Sequence, residues 1–393
     1  MRMNTAGIFS ENISGKGSNG ESAMREDFDV IVVGGGPAGS TAARICARNG
    51  LKTLLVEKER LPRYKSCGGC LSQKTVRLLG FDLGPVVERT VDRVKFTYAL
   101  KDPFTIRAPG PMGFMVMRDR FDHLLIRKAL EEEADLLEGQ RVIAANAAGD
   151  GIVVETVGGR KVSARYLIGA DGPTSRVAQA FSLAPREACG RGFGLECEIP
   201  YASLNGFPQE DLEQIHLDFG GIPRGYGWIF PKGEGLSIGI GGMLIDEQKA
   251  KIRRFFDSFL NGLSYVRKED ARTVIGHPLP AFWDERQKIA QGRVLLAGDA
   301  AHLMDPLMGE GIYYAVQSGR LAAGAILQSR ENGAFPAGLY QEAVRIHIFE
   351  NLKWALYFSR FVFQFTKLAY QTLRRYPDLG DLYLQVLDGT ESY

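Results

Sequence analysis

The sequence predicts an α/β fold, α+β overall: a dinucleotide-binding βαβ domain, an antiparallel-sheet domain set into it, and a helical C-terminal tail. Three observations carry this. The apolar run Phe28-Asp-Val-Ile-Val-Val33 leads into Gly34-Gly-Gly36-Pro-Ala-Gly39 and then a helical stretch. Between Gly192 and Gly242 the pattern changes to period two, with turns. From about Gly333 the chain is helical and aromatic.

The 393 residues give room for a large core and about two joined domains. Apolar content of 45% and charged content of 24% place the chain among globular proteins. A net charge of +2, with no basic stripe carrying interleaved aromatics, sets nucleic-acid binding aside. Five cysteines make no disulfide framework, and no signal-peptide pattern is visible, which points to a reducing cytosol. Residues 1–26, rich in Gly, Ser and Asn, read as a disordered leader.

No uncharged apolar stretch reaches the roughly 18–20 residues of a membrane span. The nearest, Ile348 to Tyr370, is interrupted by Glu350, Lys353, Arg360 and Lys367. It predicts one aromatic amphipathic helix, which either lines a substrate tunnel or makes a peripheral membrane contact.

The first element pair continues to a second strand, Leu51 to Val56, ending in Glu57, 18 residues after Gly39. Strand, glycine turn, helix, strand and acid make a Rossmann-like unit. Gly34 allows the tight turn, Gly36 lets backbone approach a pyrophosphate, and Gly39 packs helix on strand. Pro37 and Ala38 open the helix whose N-terminus faces the phosphates. Glu57, followed by Lys58, lies where an adenosine ribose would be held.

This unit does not separate FAD from NAD; two later segments do. Val294-Leu-Leu-Ala-Gly298-Asp299-Ala-Ala-His302 is a buried strand ending in an acidic turn, which sets Asp299 at a ribityl chain. Pro306-Leu-Met-Gly309-Glu-Gly311 then opens a helix rich in Ala and Gly. The N–H groups of Gly309 to Ile312 suit the negative N1–O2 edge of a reduced flavin. Leu167-Ile-Gly-Ala-Asp171-Gly172 supplies a third strand and acid-Gly turn between these ends. The expected cofactor is FAD. The expected domains are 27–180 with 285–330 for FAD, 181–284 for substrate, and 331–393 as a helical segment.

In these motifs the chain resembles the flavoprotein monooxygenase superfamily of the para-hydroxybenzoate hydroxylase type. Arg118, in Arg118-Asp-Arg-Phe121-Asp122-His-Leu124, matches that superfamily's helix-start arginine, and the resemblance implies that it reaches the flavin. Within the superfamily the chain is most similar to the geranylgeranyl reductases. One motif is Pro223-Arg-Gly-Tyr226-Gly-Trp228-Ile-Phe230-Pro231-Lys232, continuing to Gly241, with Ile238 where the family has valine. The other is Lys65-Ser-Cys67-Gly68-Gly69-Cys70-Leu71-Ser72. The resemblance implies that Cys67 and Gly68 lie in a loop near the flavin.

The pair Cys67 and Cys70 has two other readings. Cys189 and Cys197 are too irregularly spaced to complete a zinc site. Flavin disulfide reductases usually have four residues between their cysteines and a second nucleotide unit, which Gly239-Ile-Gly241-Gly242 does not provide. The histidines say little: His302 reads as structural, and His123, His216, His277 and His347 are scattered.

Period-two spacing puts Tyr226, Trp228 and Phe230 on one face of a strand, which suits an apolar alkene chain. An isolated alkene needs proton delivery together with hydride transfer, with cation character that an aromatic face stabilises by about 2 kcal/mol. Tyr226 and Trp228 fit that role, and Tyr226 or Cys67 fits the proton relay. The expected activity is FAD-dependent saturation of C=C bonds in a geranylgeranyl or other polyprenyl chain, carried by a lipid or diphosphate. NADPH, ferredoxin or another external donor would supply electrons. A flavin monooxygenase or halogenase on the same fold, and a non-catalytic electron-transfer or lipid-binding flavoprotein, are the rival readings.

Overall fold

The computed structural model describes residues 27–183, 192–243 and 250–393. The expected leader at 1–26 and Cys189 lie outside the described residues.

Five parallel strands form the centre of an eight-stranded sheet, in the order Val294–Leu296, Lys161–Gly169, Phe28–Val33, Thr53–Val56 and Asp135–Leu137. Val30, Ile31 and Val32 have no exposed surface. Burial on both faces explains why this strand reads as a continuous apolar run rather than an alternation. Helices Pro37–Arg48 and Ile312–Asn332 pack against each other on one face. A Cβ on Gly319 would lie 2.2 Å from the Ala38 carbonyl oxygen, so the close helix contact requires the small residue.

The second sheet has seven strands, in the order Ile275–Leu279, Gly192–Pro200, Gly235–Met243, Gly225–Pro231, Gln214–Phe219, Arg93–Tyr98 and Lys101–Arg107. The segment expected to alternate with turns, Gly192 to Gly242, supplies four of these strands. The hairpin 93–107 joins this sheet, although its chain position falls within the segment 27–180 assigned to the flavin domain. It attaches through a parallel pairing, Gln214–Phe219 with Arg93–Tyr98, so the sheet is not purely antiparallel. Such a pairing between segments more than 100 residues apart leaves no local signature. Helix Ile252–Asn261 covers one face with Phe256 and Phe259.

The tail is helical, as expected, but not as one span from Ile348 to Tyr370. A π turn at Arg345–Phe349 leads into Glu350–Gln364; Thr366–Arg375 and Pro377–Asp388 follow. Phe365 leaves helical dihedrals, with φ −120° and ψ 42°. The break redirects the chain so that Tyr370 reaches the second sheet, where its hydroxyl donates to the carbonyls of Asp102 and Phe96 at 2.5 and 3.3 Å. Tertiary contacts override a continuous apolar pattern here. Among the described residues no helix is long and apolar enough to cross a membrane.

Candidate active site

The glycine turn after the first strand is built as its sequence requires. Gly34 has φ +105°, and a Cβ there would lie 2.2 Å from the Ala170 carbonyl oxygen. Gly39 is buried in the first helical turn, where a Cβ would meet the Gly34 carbonyl oxygen at 1.9 Å. Gly36 is different: its Cβ would meet nothing within 4 Å, and its backbone borders an open cavity. That is the space a pyrophosphate needs, with the N-terminus of Pro37–Arg48 behind it.

The cavity is about 890 Å³. Its dinucleotide end is lined by Gly34, Gly36, Pro37, Ala38, Glu57, Lys58 and Asp171. Glu57 is buried, with Oε2 accepting from the Gly35 N–H at 2.7 Å and Oε1 from the Glu59 N–H at 3.0 Å. The Asp171 carboxylate accepts from the Ser175 hydroxyl at 2.5 Å and from the N–H groups of Arg176 and Val177 at 2.6 and 3.4 Å. Asp171 therefore holds its own turn as well as lining the wall. Gly298 is buried behind Asp299, its N–H donating to Ser318 Oγ at 2.9 Å. Asp299, Gly309, Gly311 and Ile312 line the same cavity, at the N-terminus of the 21-residue helix Ile312–Asn332. This end carries the helix's positive partial charge into the cavity. Residues and space both fit FAD.

The strand Gly225–Pro231 alternates strictly: Tyr226, Trp228 and Phe230 are half-buried, and the residues between them are buried. All three aromatics line the cavity, with neighbouring ring centroids 6.4–6.5 Å apart. The Tyr226 hydroxyl donates to the Met308 carbonyl at 2.6 Å, so it pins the loop that precedes the flavin helix. Burial also raises its pKa well above that of an ordinary phenol. Both facts make it a poor proton donor.

Cys67 has a different setting. Its thiol lies within hydrogen-bonding reach of Arg118, and Lys65 and Lys232 also act on it electrostatically. Arg118 is buried at the start of Arg118–Leu130 and pairs with Asp122 in two contacts, of 2.8 and 2.9 Å. Burial opposes its charge, but Asp122 and Cys67 outweigh that and hold the guanidinium protonated. Three basic side chains thus surround this one thiol. Cys70 starts the strand Cys70–Ser72, and desolvation pushes its thiol up to about 12. Both thiols are free.

Three further side chains, to which the motifs give no role, pack around the Cys67 loop and the cavity. Lys232 is buried, and its ammonium donates to the carbonyls of Gly68 and Val116, the latter at 2.8 Å. Burial pushes its pKa down, with Glu198 opposing. Glu196 is buried too; Oε1 accepts from the Cys67 N–H and the Tyr64 hydroxyl, each at 2.8 Å, and Oε2 has no hydrogen-bond partner among the described residues. His277, one of the scattered histidines, lines the cavity with Lys65 Nζ 3.0 Å from its Nε2. Burial, followed by the Lys65 charge, pushes His277 down to about 4, so it accepts from the ammonium. Only the assembled sheet brings 65, 196 and 277 together. His302 is buried in a left-handed turn, in keeping with a structural role.

The chain matches the model of a family described as "FAD binding domain" over residues 27–193 and 284–339. It is 34% identical over 325 residues to a geranylgeranyl diphosphate reductase of Rhodobacter capsulatus, covering 79% of this chain and 78% of that protein. It is 30% identical over 347 residues to a digeranylgeranylglycerophospholipid reductase of Thermoplasma volcanium, covering 81% and 84%. A solved structure of a geranylgeranyl bacteriochlorophyll reductase-like protein from Thermoplasma acidophilum shares the fold, with a TM-score of 0.76, 23% identity and 92% of each chain covered. FAD is the cofactor whose cradle the glycine turn and the helix N-terminus form, and the chain is an FAD-dependent oxidoreductase that belongs to the geranylgeranyl reductase family.

Proposed function

We propose that this protein saturates C=C bonds of a geranylgeranyl or other polyprenyl chain carried by a lipid or diphosphate. The observation that carries the reading is one continuous cavity. It joins the flavin helix N-terminus, the Cys67 loop and the aromatic face of Tyr226, Trp228 and Phe230. Past the aromatics its wall is apolar, with Phe363, Tyr383 and Leu387 contributed by the tail. An apolar channel ending at the cofactor suits a long hydrocarbon and excludes water.

FAD, when bound and reduced, supplies the hydride. The protein supplies the rest. Trp228 and Tyr226 present π faces to the developing cation. The Cys67 thiol delivers the proton, and Arg118, Lys65 and Lys232 stabilise the thiolate left behind. Lys232 holds the loop by the Gly68 carbonyl, and Glu196 holds it by the Cys67 N–H. The external reductant is NADPH or ferredoxin.

The test is single-turnover reoxidation of photoreduced protein, without oxygen, by geranylgeranyl diphosphate. Alkene-driven reoxidation with formation of the reduced prenyl product supports the reading. No alkene-driven reoxidation, but hydroxylated product once oxygen is admitted, would make it a hydroxylase, and neither product would make it an electron carrier.

A further inference from the structure

The helix Glu350–Gln364 is amphipathic in an unusual sense. Its inner face, Leu352, Ala355, Leu356 and Ser359, is buried. Its outer face is not polar but aromatic. Trp354, Tyr357, Phe358 and Phe361, followed by Phe365 just past its end, recur at helical spacing and form one exposed stripe. Trp354 is 51% exposed and Phe361 57%. Leu368 continues the apolar surface on the next helix, 57% exposed. Scattered exposed aromatics need no explanation, but a contiguous stripe does.

The charge around this stripe says what covers it. From Asn351 to Pro377 the sequence holds Lys353, Arg360, Lys367, Arg374 and Arg375 and no acidic residue. Lys353 and Arg360, seven apart on this helix, lie on one flank of the stripe, and Lys367 follows on the next helix. Arg360 lies over the ring of the half-exposed Trp283, 5.6 Å from its centroid. Lys353 is ion-paired with Glu285 at 2.9 Å, and a second copy of this face would bring the other four cations against four. An anionic bilayer takes the aromatics at its headgroup boundary and the cations at its phosphates.

On the opposite side of the same helix, Phe363 lines the cavity. Tyr383 and Leu387, from Pro377–Asp388, line it beside Phe363. One helix therefore separates the stripe from the apolar channel.

We propose that this outer face docks on an anionic bilayer, and that the prenyl chain of a bilayer-resident lipid passes from there, beside Phe363, into the cavity. Docking stands by itself, whereas the passage of substrate rests on the prenyl-reductase reading. FAD-loaded full-length protein should sediment with phosphatidylglycerol vesicles at low salt, and brominated lipid should quench Trp354. Phe361→Glu, at an exposed position outside the cavity, should weaken vesicle binding by about tenfold or more. The same variant should slow single-turnover reduction of a vesicle-borne geranylgeranyl lipid and leave reduction of dispersed geranylgeranyl diphosphate unchanged. Wild-type protein remaining in the supernatant would overturn docking. So would self-association that Phe361→Glu abolishes without any vesicle binding. An unchanged rate on the vesicle-borne lipid in Phe361→Glu would overturn the passage alone. Vesicle binding without turnover of either substrate would overturn the prenyl-reductase reading, and the passage with it, while docking stands.

Discussion

The ammonium of Lys232 donates to the carbonyl of Gly68 across 164 residues of sequence. This contact joins the end of the aromatic strand to the loop that carries Cys67. The two motifs that most resemble the geranylgeranyl reductases are therefore one structure. Phe230 and Trp228 complete the junction, since a Cβ on Gly68 would meet the Phe230 ring at 2.7 Å and the Trp228 indole at 3.5 Å. The loop lies against the aromatic face with no room for a larger residue.

Lys232→Met keeps the stem volume and deletes the donor. Two buried carbonyls then lose a charged partner, which costs about 1–3 kcal/mol. Thermal melts should show the loss. FAD content should persist, because the dinucleotide turn is elsewhere, while single-turnover reoxidation slows. An unchanged melt and an unchanged rate would show that the clamp is dispensable.

Gly36→Val should separate folding from cofactor binding. Its Cβ meets no protein atom within 4 Å, so the chain should fold and melt as the wild type does when stripped of flavin. The added bulk occupies the proposed pyrophosphate space, so the protein should be colourless. Yellow protein with wild-type flavin stoichiometry would refute the placement.

Cys67 and Tyr226 are separated by what their hydroxyl and thiol touch. Cys67→Ser replaces the thiol with a far weaker acid and should slow alkene-driven reoxidation by about 100-fold or more. Tyr226→Phe removes the bond to Met308, at a cost of about 1 kcal/mol, and should loosen FAD more than it slows the reaction. Trp228→Leu should lower the rate by about thirtyfold if its π face is worth about 2 kcal/mol in the transition state. Rapid-mixing absorbance of the flavin reads all three. Wild-type rates in Cys67→Ser would remove the thiol from the mechanism.

Burial, then the charge of Lys95, pushes His216 down to about 4 from an ordinary 6.5. Its ring stays neutral beside the Thr97 hydroxyl, 2.7 Å away. Between those two pH values the unfolded chain binds a proton that the folded chain refuses. Stability should therefore fall as pH drops from 6.5 towards 4. Asp218, pushed up to about 6 by burial on the same network, acts in the opposite direction. Comparing wild type with His216→Gln isolates the histidine: the variant should lose less stability over this interval. Parallel curves would contradict the assignment.

The sequence determined every feature whose chemistry is local. The turn at Gly34 to Gly39, the acid Glu57, the Gly298-Asp299 turn and the helix opening at Ile312 each announce themselves. Each depends on backbone geometry or on a helix end within a few residues. Alternation alone placed Tyr226, Trp228 and Phe230 on one face. What needed the tertiary structure was every relation between distant segments. Glu196 and His277 look unremarkable in sequence, because a carboxylate or an imidazole on a strand becomes part of a site only when another segment crosses it. The hairpin 93–107 joined the second sheet through a pairing that leaves no periodic trace. The tail shows the division within one element. Its aromatic and basic composition was legible, but whether those rings faced inward or outward was not. The break at Phe365 and the packing of Leu352 and Leu356 decided that, leaving Trp354 and Phe361 in solvent and turning Phe363 into the cavity.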